Sequence, residues 1–146
     1  MRIEKDYEEL LRLLNKHNVK YCIVGAYAVA FYGKPRFTKD MDIFVEPSIK
    51  NGKKIAQALI DFGFEGFKLS EEDFAEEGNI VQLGYEPVRV DILTSITGVS
   101  FNEVWKNRTT GKYGKEKIFF IGLKELIKNK KMTGRKQDIA DLDLFE

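Results

Sequence analysis

The chain has 146 residues, of which 43% are hydrophobic, and this is long enough for a buried core, so we expect a single domain over residues 1–146. Its 24 lysines and arginines nearly balance its 23 aspartates and glutamates, which excludes the bulk positive charge that drives nucleic-acid binding without sequence preference. No apolar run reaches the roughly 20 residues of a membrane helix, the first residues are too polar for a signal peptide, and the lone Cys22 has no disulfide partner in the chain. We therefore expect a cytoplasmic protein without a membrane partner.

The first half of the chain alternates between helical and extended patterns. Apolar residues recur at helical spacing over about 3–17, and the apolar run 19–24 then predicts a buried strand that ends at Gly25. Small residues predict a short helix after this strand, and a polar link leads to a second strand that starts at Asp40. Another helix is predicted from a cap at Ser48 to about residue 62.

The second half of the chain supplies further strands and the closing helices. The acidic segment SEEDFAEEG predicts a short solvated helix, and two strands are predicted to form an antiparallel hairpin across Glu86 and Pro87. The remaining elements are predicted as a helix over 100–108, a strand over 117–121, and one or two helices over 123–131 and 136–145. The predicted fold class is α/β (α+β), with a mixed sheet of about four or five strands flanked by helices.

Two aspartates, Asp40 and Asp42, open the second predicted strand. Side chains two residues apart in a strand share one face, so the two carboxylates project together, with Cα atoms about 6.6 Å apart. Asp91, in the strand sequence VRVDIL, could lie beside them at one strand spacing of about 4.8 Å. Three carboxylates supply the oxygen ligands that Mg²⁺ prefers, with Mn²⁺ as an alternative. Each aspartate taken alone is also consistent with a turn or an ion pair.

Residues that precede the acid strand are suited to contact phosphate. Gly25 at a strand-to-helix turn lets backbone N–H groups approach a phosphate, and the helix N-terminus adds a partial positive charge. Thr38 could cap or orient the link before the strand. The same link carries three candidate phosphate ligands, for which a solvated loop is the alternative: Lys34, Arg36 and Lys39.

The closing segment IKNKKMTGRKQDIADL is a local basic cluster that could receive nucleotide phosphate or a nucleic-acid acceptor. The favoured interpretation is a solvated turn between helices, and Asp138 and Asp141 are expected to pair with these bases instead of binding metal. The basic residues concerned are Lys128, Lys130, Lys131, Arg135 and Lys136. In TTGKYGKEK, Tyr113 between lysines could grip a nucleic-acid strand, but a surface hairpin is the favoured interpretation.

The order of these motifs resembles the nucleotidyltransferase fold superfamily, the DNA polymerase β-like family that includes minimal prokaryotic nucleotidyltransferases and bacterial toxin relatives. That family has an apolar residue, Gly, and then Gly or Ser, followed by a spacer, Asp-x-Asp, and a third acid on a later strand. This chain has Val24-Gly25-Ala26, Asp40-Met41-Asp42 and Asp91 at these places, and RFTKDMD is similar to the approach in small prokaryotic members. Ala26 departs from the pattern because it keeps a backbone N–H but has no hydroxyl.

The resemblance implies an enzyme that transfers a nucleoside monophosphate from an NTP to an acceptor hydroxyl and releases pyrophosphate. The acceptor is left open between RNA, protein and a small molecule. The implied catalytic residues, which would also bind Mg²⁺ or Mn²⁺, are Asp40, Asp42 and Asp91. The implied nucleotide-binding residues are Gly25, Ala26, Arg36, Thr38 and Lys39. The alternative is a non-catalytic nucleotide-binding relative or the partner of an antitoxin-like protein.

Overall fold

The structure, a computed structural model, describes residues 4–33, 40–64, 69–85 and 88–145. Helices and strands in these ranges follow one another largely in the predicted order. The helices are α1 (Lys5–Lys16), α2 (Gly25–Tyr32), α3 (Ile49–Phe62), α4 (Phe101–Lys106), α5 (Leu123–Thr133) and α6 (Lys136–Leu142), with short 3₁₀ turns at Glu71–Phe74 and Asp143–Phe145. The strands are β1 (Tyr21–Val24), β2 (Asp40–Val45), β3 (Ile80–Tyr85), β4 (Val88–Leu93), β5 (Thr109–Tyr113) and β6 (Glu116–Phe120).

The helices form where the sequence combines an apolar face with a suitable terminus. The apolar face of α1 is buried and carries Tyr7 and four leucines. Helix α3 begins at Ser48, whose hydroxyl accepts a hydrogen bond from the Asn51 N–H at 3.1 Å. It ends at Gly63, which has a positive φ of 114°. None of the helices in the described ranges is both long and apolar enough to cross a membrane.

The six strands of the described residues form one mixed sheet in the order β3-β4-β2-β1-β6-β5. Strand β1 pairs antiparallel with β2 and parallel with β6, and β2 pairs parallel with β4. The outer pairs β3-β4 and β5-β6 are antiparallel, so the predicted hairpin across residues 86 and 87 is confirmed at the level of strand pairing. All four residues of β1 are buried, as expected for a strand in the middle of a sheet.

The expected number of four or five strands was too low, and the additional strand is β5. Its sequence TTGKY is polar and contains a glycine, so it lacks the apolar alternation by which strands are recognised. It forms because it pairs along its whole length with β6, and Tyr113 alone among its side chains is buried. The surface hairpin favoured for this segment is therefore confirmed, and Tyr113 belongs to the core.

The pairing of β1, β2 and β4 brings one end of β1 to the start of β2. Because β1 and β2 are antiparallel, Val24 at the end of β1 lies opposite Asp42 near the start of β2. Because β2 and β4 are parallel, residues from the middle of β4 lie at the same edge of the sheet. Helix α2 starts at this edge, directly after β1.

Candidate functional site

The three predicted aspartates lie on neighbouring strands. In the pairing of β2 with β4, Asp40 lies opposite Arg89 and Asp42 lies opposite Asp91. The intervening Met41 is fully buried on the other face of the sheet, so the predicted alternation along β2 is confirmed. The predicted position of Asp91 beside the Asp40 and Asp42 pair is confirmed as well.

Gly25 packs directly against this acid cluster. Its φ is +66°, which L side chains rarely adopt, and a Cβ atom at this position would overlap the Asp42 carboxylate. Two independent conditions therefore require glycine where β1 turns into α2. Within the described ranges no side chain caps the start of α2, so none of these side chains occupies its first backbone N–H groups. Ala26, the second residue of α2, is half-buried at the same edge.

The charged forms of two carboxylates in this cluster, Asp42 and Asp91, are disfavoured in the folded protein. Burial, followed by the negative charges of Asp91 and Asp40, raises the pKa of Asp42 from its ordinary value of 3.8 to about 6. Burial also raises the pKa of Asp91, although the charge of Arg89 partly offsets this effect. Acids gathered in this way bind a proton or a metal cation more readily than isolated acids do.

Arg89 is part of the site although its sequence position suggested no role beyond a shared strand face with Asp91. Its Nη2 lies 2.9 Å from Asp40 Oδ2, and its Nε lies 3.4 Å from Asp91 Oδ1. The guanidinium group thus bridges two of the three aspartates. The available sequence signal was its i−2 spacing from Asp91, which places both side chains on one face of β4.

Lys130 approaches the cluster from the C-terminal helices. Its side chain is only 7% exposed, and its Nζ lies 2.6 Å from Asp138 Oδ1 and 3.2 Å from Asp141 Oδ2. Its charge also lowers the pKa of Asp42, against the larger effects that raise it. Lys130, Gly25 and Asp42 line one cavity of about 430 Å³.

The predicted pairing of Asp138 and Asp141 with basic residues is confirmed. Burial alone would raise the pKa of Asp138, but hydrogen bonds from Lys130, Thr133 and Arg135 together lower it to about 2. The other members of the basic cluster differ in environment: Lys128 pairs with Glu103 at 3.5 Å, and Lys131 and Lys136 are exposed. The sequence showed a basic cluster, but it did not show that one lysine turns inward.

The remaining predicted nucleotide contacts fall on residues 34–39, which lie outside the described residues. These are Lys34, Arg36, Thr38 and Lys39, and their roles stay predictions.

The carboxylate oxygens of the acid cluster are suitable ligands for a magnesium ion. Oδ1 of Asp40 and Oδ1 of Asp91 are buried, and neither accepts a hydrogen bond from the residues described. Buried carboxylate oxygens without a donor are suited to a hard cation that takes oxygen ligands. In the arrangement with Arg89 between them, no three acid, histidine or cysteine side chains of the described ranges are close enough together to hold an ion. The aspartates thus supply the type of ligand atom that magnesium takes. Their present spacing is one in which Arg89 forms ion pairs with Asp40 and Asp91.

Comparison with known proteins agrees with this geometry. A model of the family described as "Nucleotidyl transferase of unknown function (DUF2204)" matches residues 3–146. The chain belongs to this nucleotidyltransferase family. The fold is also similar to that of a protein from Thermotoga maritima described as a "putative nucleotidyltransferase", with a TM-score of 0.64 and 16% identity over 99% of this chain and 94% of that chain. No curated protein matches the chain in sequence.

The resemblance inferred from the glycine and aspartate motifs is therefore confirmed for family and for fold. The nucleotidyltransferase family match spans both the acid strands and the C-terminal helices, so Lys130 lies within the matched region along with Gly25, Asp42 and Asp91.

Proposed function

We propose that the protein is a Mg²⁺-dependent nucleotidyltransferase that moves a nucleoside monophosphate from an NTP to an acceptor hydroxyl on RNA, protein or a small molecule. Mn²⁺ is the alternative metal. The observation that carries this proposal is the pairing of Asp42 with Asp91 across β2 and β4, with Gly25 packed against the Asp42 carboxylate at the start of a helix. Family membership supports the reaction class.

The roles of the aspartates follow from their position and charge. Asp40 and Asp42 would hold the metal. The buried Asp40 Oδ1 is available as a ligand because it accepts no hydrogen bond from the described residues. When bound, Mg²⁺ would neutralise triphosphate charge and bind its oxygens. The raised pKa of Asp42 supports this role, because a bound cation would offset the repulsion between Asp42 and its acidic neighbours.

The positive side of the site would hold the triphosphate. Gly25 and the first N–H groups of α2 can approach phosphate oxygens closely because Gly25 has no Cβ and no side chain in the described part of the chain caps this helix. Ala26 would contribute only its backbone N–H. Lys130 lines the same cavity and is oriented by its two aspartate partners, so its charge can offset phosphate charge there. We assign Arg36, Thr38 and Lys39 to the same group of phosphate contacts.

The proposed transfer step uses Asp91 as the proton acceptor or as a further metal ligand. The acceptor oxygen forms a bond to the α-phosphorus, the bond from that phosphorus to the bridging oxygen breaks, and pyrophosphate leaves with the bonding electrons. The proton of the acceptor hydroxyl passes to the Asp91 carboxylate. The raised pKa of Asp91 makes this carboxylate a better base than an exposed aspartate.

The proposal is tested by incubating the protein with each of the four NTPs, Mg²⁺ and cellular RNA or protein, and measuring pyrophosphate release. Asp42→Asn should lose both Mg²⁺-dependent nucleotide binding and transfer. Asp91→Asn, if Asp91 is the base, should keep most of its NTP affinity while transfer falls by about 10² to 10⁴. Glu77→Gln, which changes an exposed carboxylate in the segment before β3, serves as the control.

Each alternative has a distinct result. An Asp91 variant that loses nucleotide as completely as the Asp42 variant would make Asp91 a metal ligand. NTP binding without pyrophosphate release from any NTP would identify a nucleotide-binding relative instead of an enzyme. Pyrophosphate release that survives Asp42→Asn would refute the assigned site.

A further inference from the structure

Arg89 lies where it competes with a cation for the acid cluster. Its guanidinium group contacts Asp40 Oδ2 at 2.9 Å and Asp91 Oδ1 at 3.4 Å. Its Nη2 is also 3.5 Å from Asp91 Oδ2. One cation therefore faces both Asp40, which the proposed function assigns to the metal, and Asp91, which it assigns as the proton acceptor or a further metal ligand.

The backbone of Arg89 is held firmly, so the position of its side chain is determined by the fold. Strand pairing puts it between Asp40 on β2 and Gly84 on β3. The Tyr7 hydroxyl from α1 donates to the Arg89 carbonyl at 2.8 Å and accepts from the Arg89 N–H at 3.1 Å. Tyr7 is itself 1% exposed. A long side chain that starts from a fixed backbone still has several rotatable bonds, so the guanidinium group can leave while its Cα stays.

The ion pairs of Arg89 are incomplete, and this makes them exchangeable. The side chain of Arg89 is 33% exposed, and its Nε makes no hydrogen bond with good geometry to the described residues. Asp91 Oδ1, at 3.4 Å from that Nε, accepts no hydrogen bond either. A well-formed bidentate arginine–carboxylate pair would satisfy both atoms. The contacts neutralise charge but leave Oδ1 of Asp40 and Oδ1 of Asp91 without a hydrogen bond from the described residues.

We infer that Arg89 is an internal counter-ion that occupies the acid cluster in the absence of a divalent cation and leaves at least one aspartate when a cation binds. This inference rests on the proposed metal site at Asp40 and Asp42, with Asp91 beside it. It predicts that the free cation binds weakly because it must displace Arg89. It also predicts that a triphosphate helps the metal to bind, because phosphate oxygens can accept the displaced guanidinium group.

The test measures Mn²⁺ binding by the loss of the free-ion electron paramagnetic resonance signal, without nucleotide and then with a non-hydrolysable NTP analogue. Arg89→Gln removes the competing cation, so it should bind Mn²⁺ about tenfold more tightly than the wild type without nucleotide, as expected for the loss of one charge-assisted contact. The gain in Mn²⁺ affinity on adding the analogue should be smaller in this variant than in the wild type. Arg12→Gln, which breaks the exposed pair with Glu9 on α1, is the matched control and should not change Mn²⁺ binding.

If Arg89→Gln does not fold, Arg89→Lys provides a second variant with which to test the counter-ion role. Lysine carries one compact charge and cannot bridge both aspartates in the way a guanidinium group can, so Mn²⁺ affinity should rise by a smaller factor. Folding of each variant is checked by circular dichroism.

The outcomes separate this inference from the proposed function. Unchanged or weaker Mn²⁺ binding in the Arg89 variants, with clear binding in the wild type, would overturn the counter-ion role and leave the metal site intact. A merely structural arginine would give that result, because its loss would loosen the site. If neither the wild type nor the variants bind Mn²⁺ with or without the analogue, the proposed metal site itself is refuted, and the counter-ion role with it.

Discussion

Replacing Asp42 with asparagine should stabilise the metal-free protein at neutral and alkaline pH. Burial, followed by the charges of Asp91 and Asp40, raises the pKa of Asp42 to about 6. Its charged form is therefore disfavoured in the folded state. Asparagine keeps a similar shape, cannot carry the charge, and removes the repulsion.

The magnitude follows from the shift in pKa. Raising the pKa of a buried aspartate from 3.8 to about 6 corresponds to about 3 kcal/mol, because a tenfold change in a protonation equilibrium is worth about 1.4 kcal/mol. The folded state holds the proton more tightly than the unfolded state, so the favourable contribution is complete below pH 3.8 and is lost as the pH rises through about 6. Asp42→Asn does not lose stability in this way, because asparagine does not titrate. Its advantage over the wild type should approach about 3 kcal/mol at pH 8 and shrink below about 1 kcal/mol at pH 4.

The assay is urea denaturation of the wild type and Asp42→Asn in EDTA at several pH values between 4 and 8. Glu77→Gln is the control for replacing an exposed carboxylate, and its stability should follow that of the wild type within about 0.5 kcal/mol. Added Mg²⁺ should then stabilise the wild type and not the variant. An Asp42 variant that is less stable than the wild type at pH 8 would refute the reasoning, because that result identifies an aspartate whose charge supports the fold.

Two further substitutions test the surroundings of the acid cluster. Gly25→Ala should destabilise the protein more than Gly134→Ala in thermal melts: the two positions share nearly the same positive φ, at +66° and +65°, but only at Gly25 would the new Cβ overlap the Asp42 carboxylate. Equal losses would show that backbone strain alone requires the glycine. Lys130→Met should cost about 3 to 5 kcal/mol in urea denaturation, because it removes the buried cation that Asp138 and Asp141 share, whereas Lys131→Met on the exposed side of α5 should change stability by less than about 0.5 kcal/mol. A small loss for Lys130→Met would mean that its aspartate partners find other donors.

Local features of the sequence determined the elements of this protein. The helical spacing of apolar residues predicted α1, and the run of apolar residues before Gly25 predicted β1. Both predictions were possible because the period of apolar residues can be read from each segment by itself. The same holds for the shared face of Asp40 and Asp42, which follows from the geometry of any strand. The polar β5 was expected only as part of a surface hairpin and not as a strand of the sheet, because its pairing with β6, and not its own pattern, makes it a strand.

Only the tertiary structure decided how the site is assembled. The parallel pairing of β2 with β4 sets Asp42 opposite Asp91 and Asp40 opposite Arg89, and this register joins segments about fifty residues apart along the chain. A one-residue slip would have turned Arg89 and Asp91 to the other face of the sheet, so the site depends on long-range packing that no local pattern contains. The same is true of Lys130, which differs from its basic neighbours only because the packing of α5 and α6 buries it between Asp138 and Asp141. Charge in the sequence could indicate a site, but burial, which sets how strongly each charge acts, is a property of the folded chain.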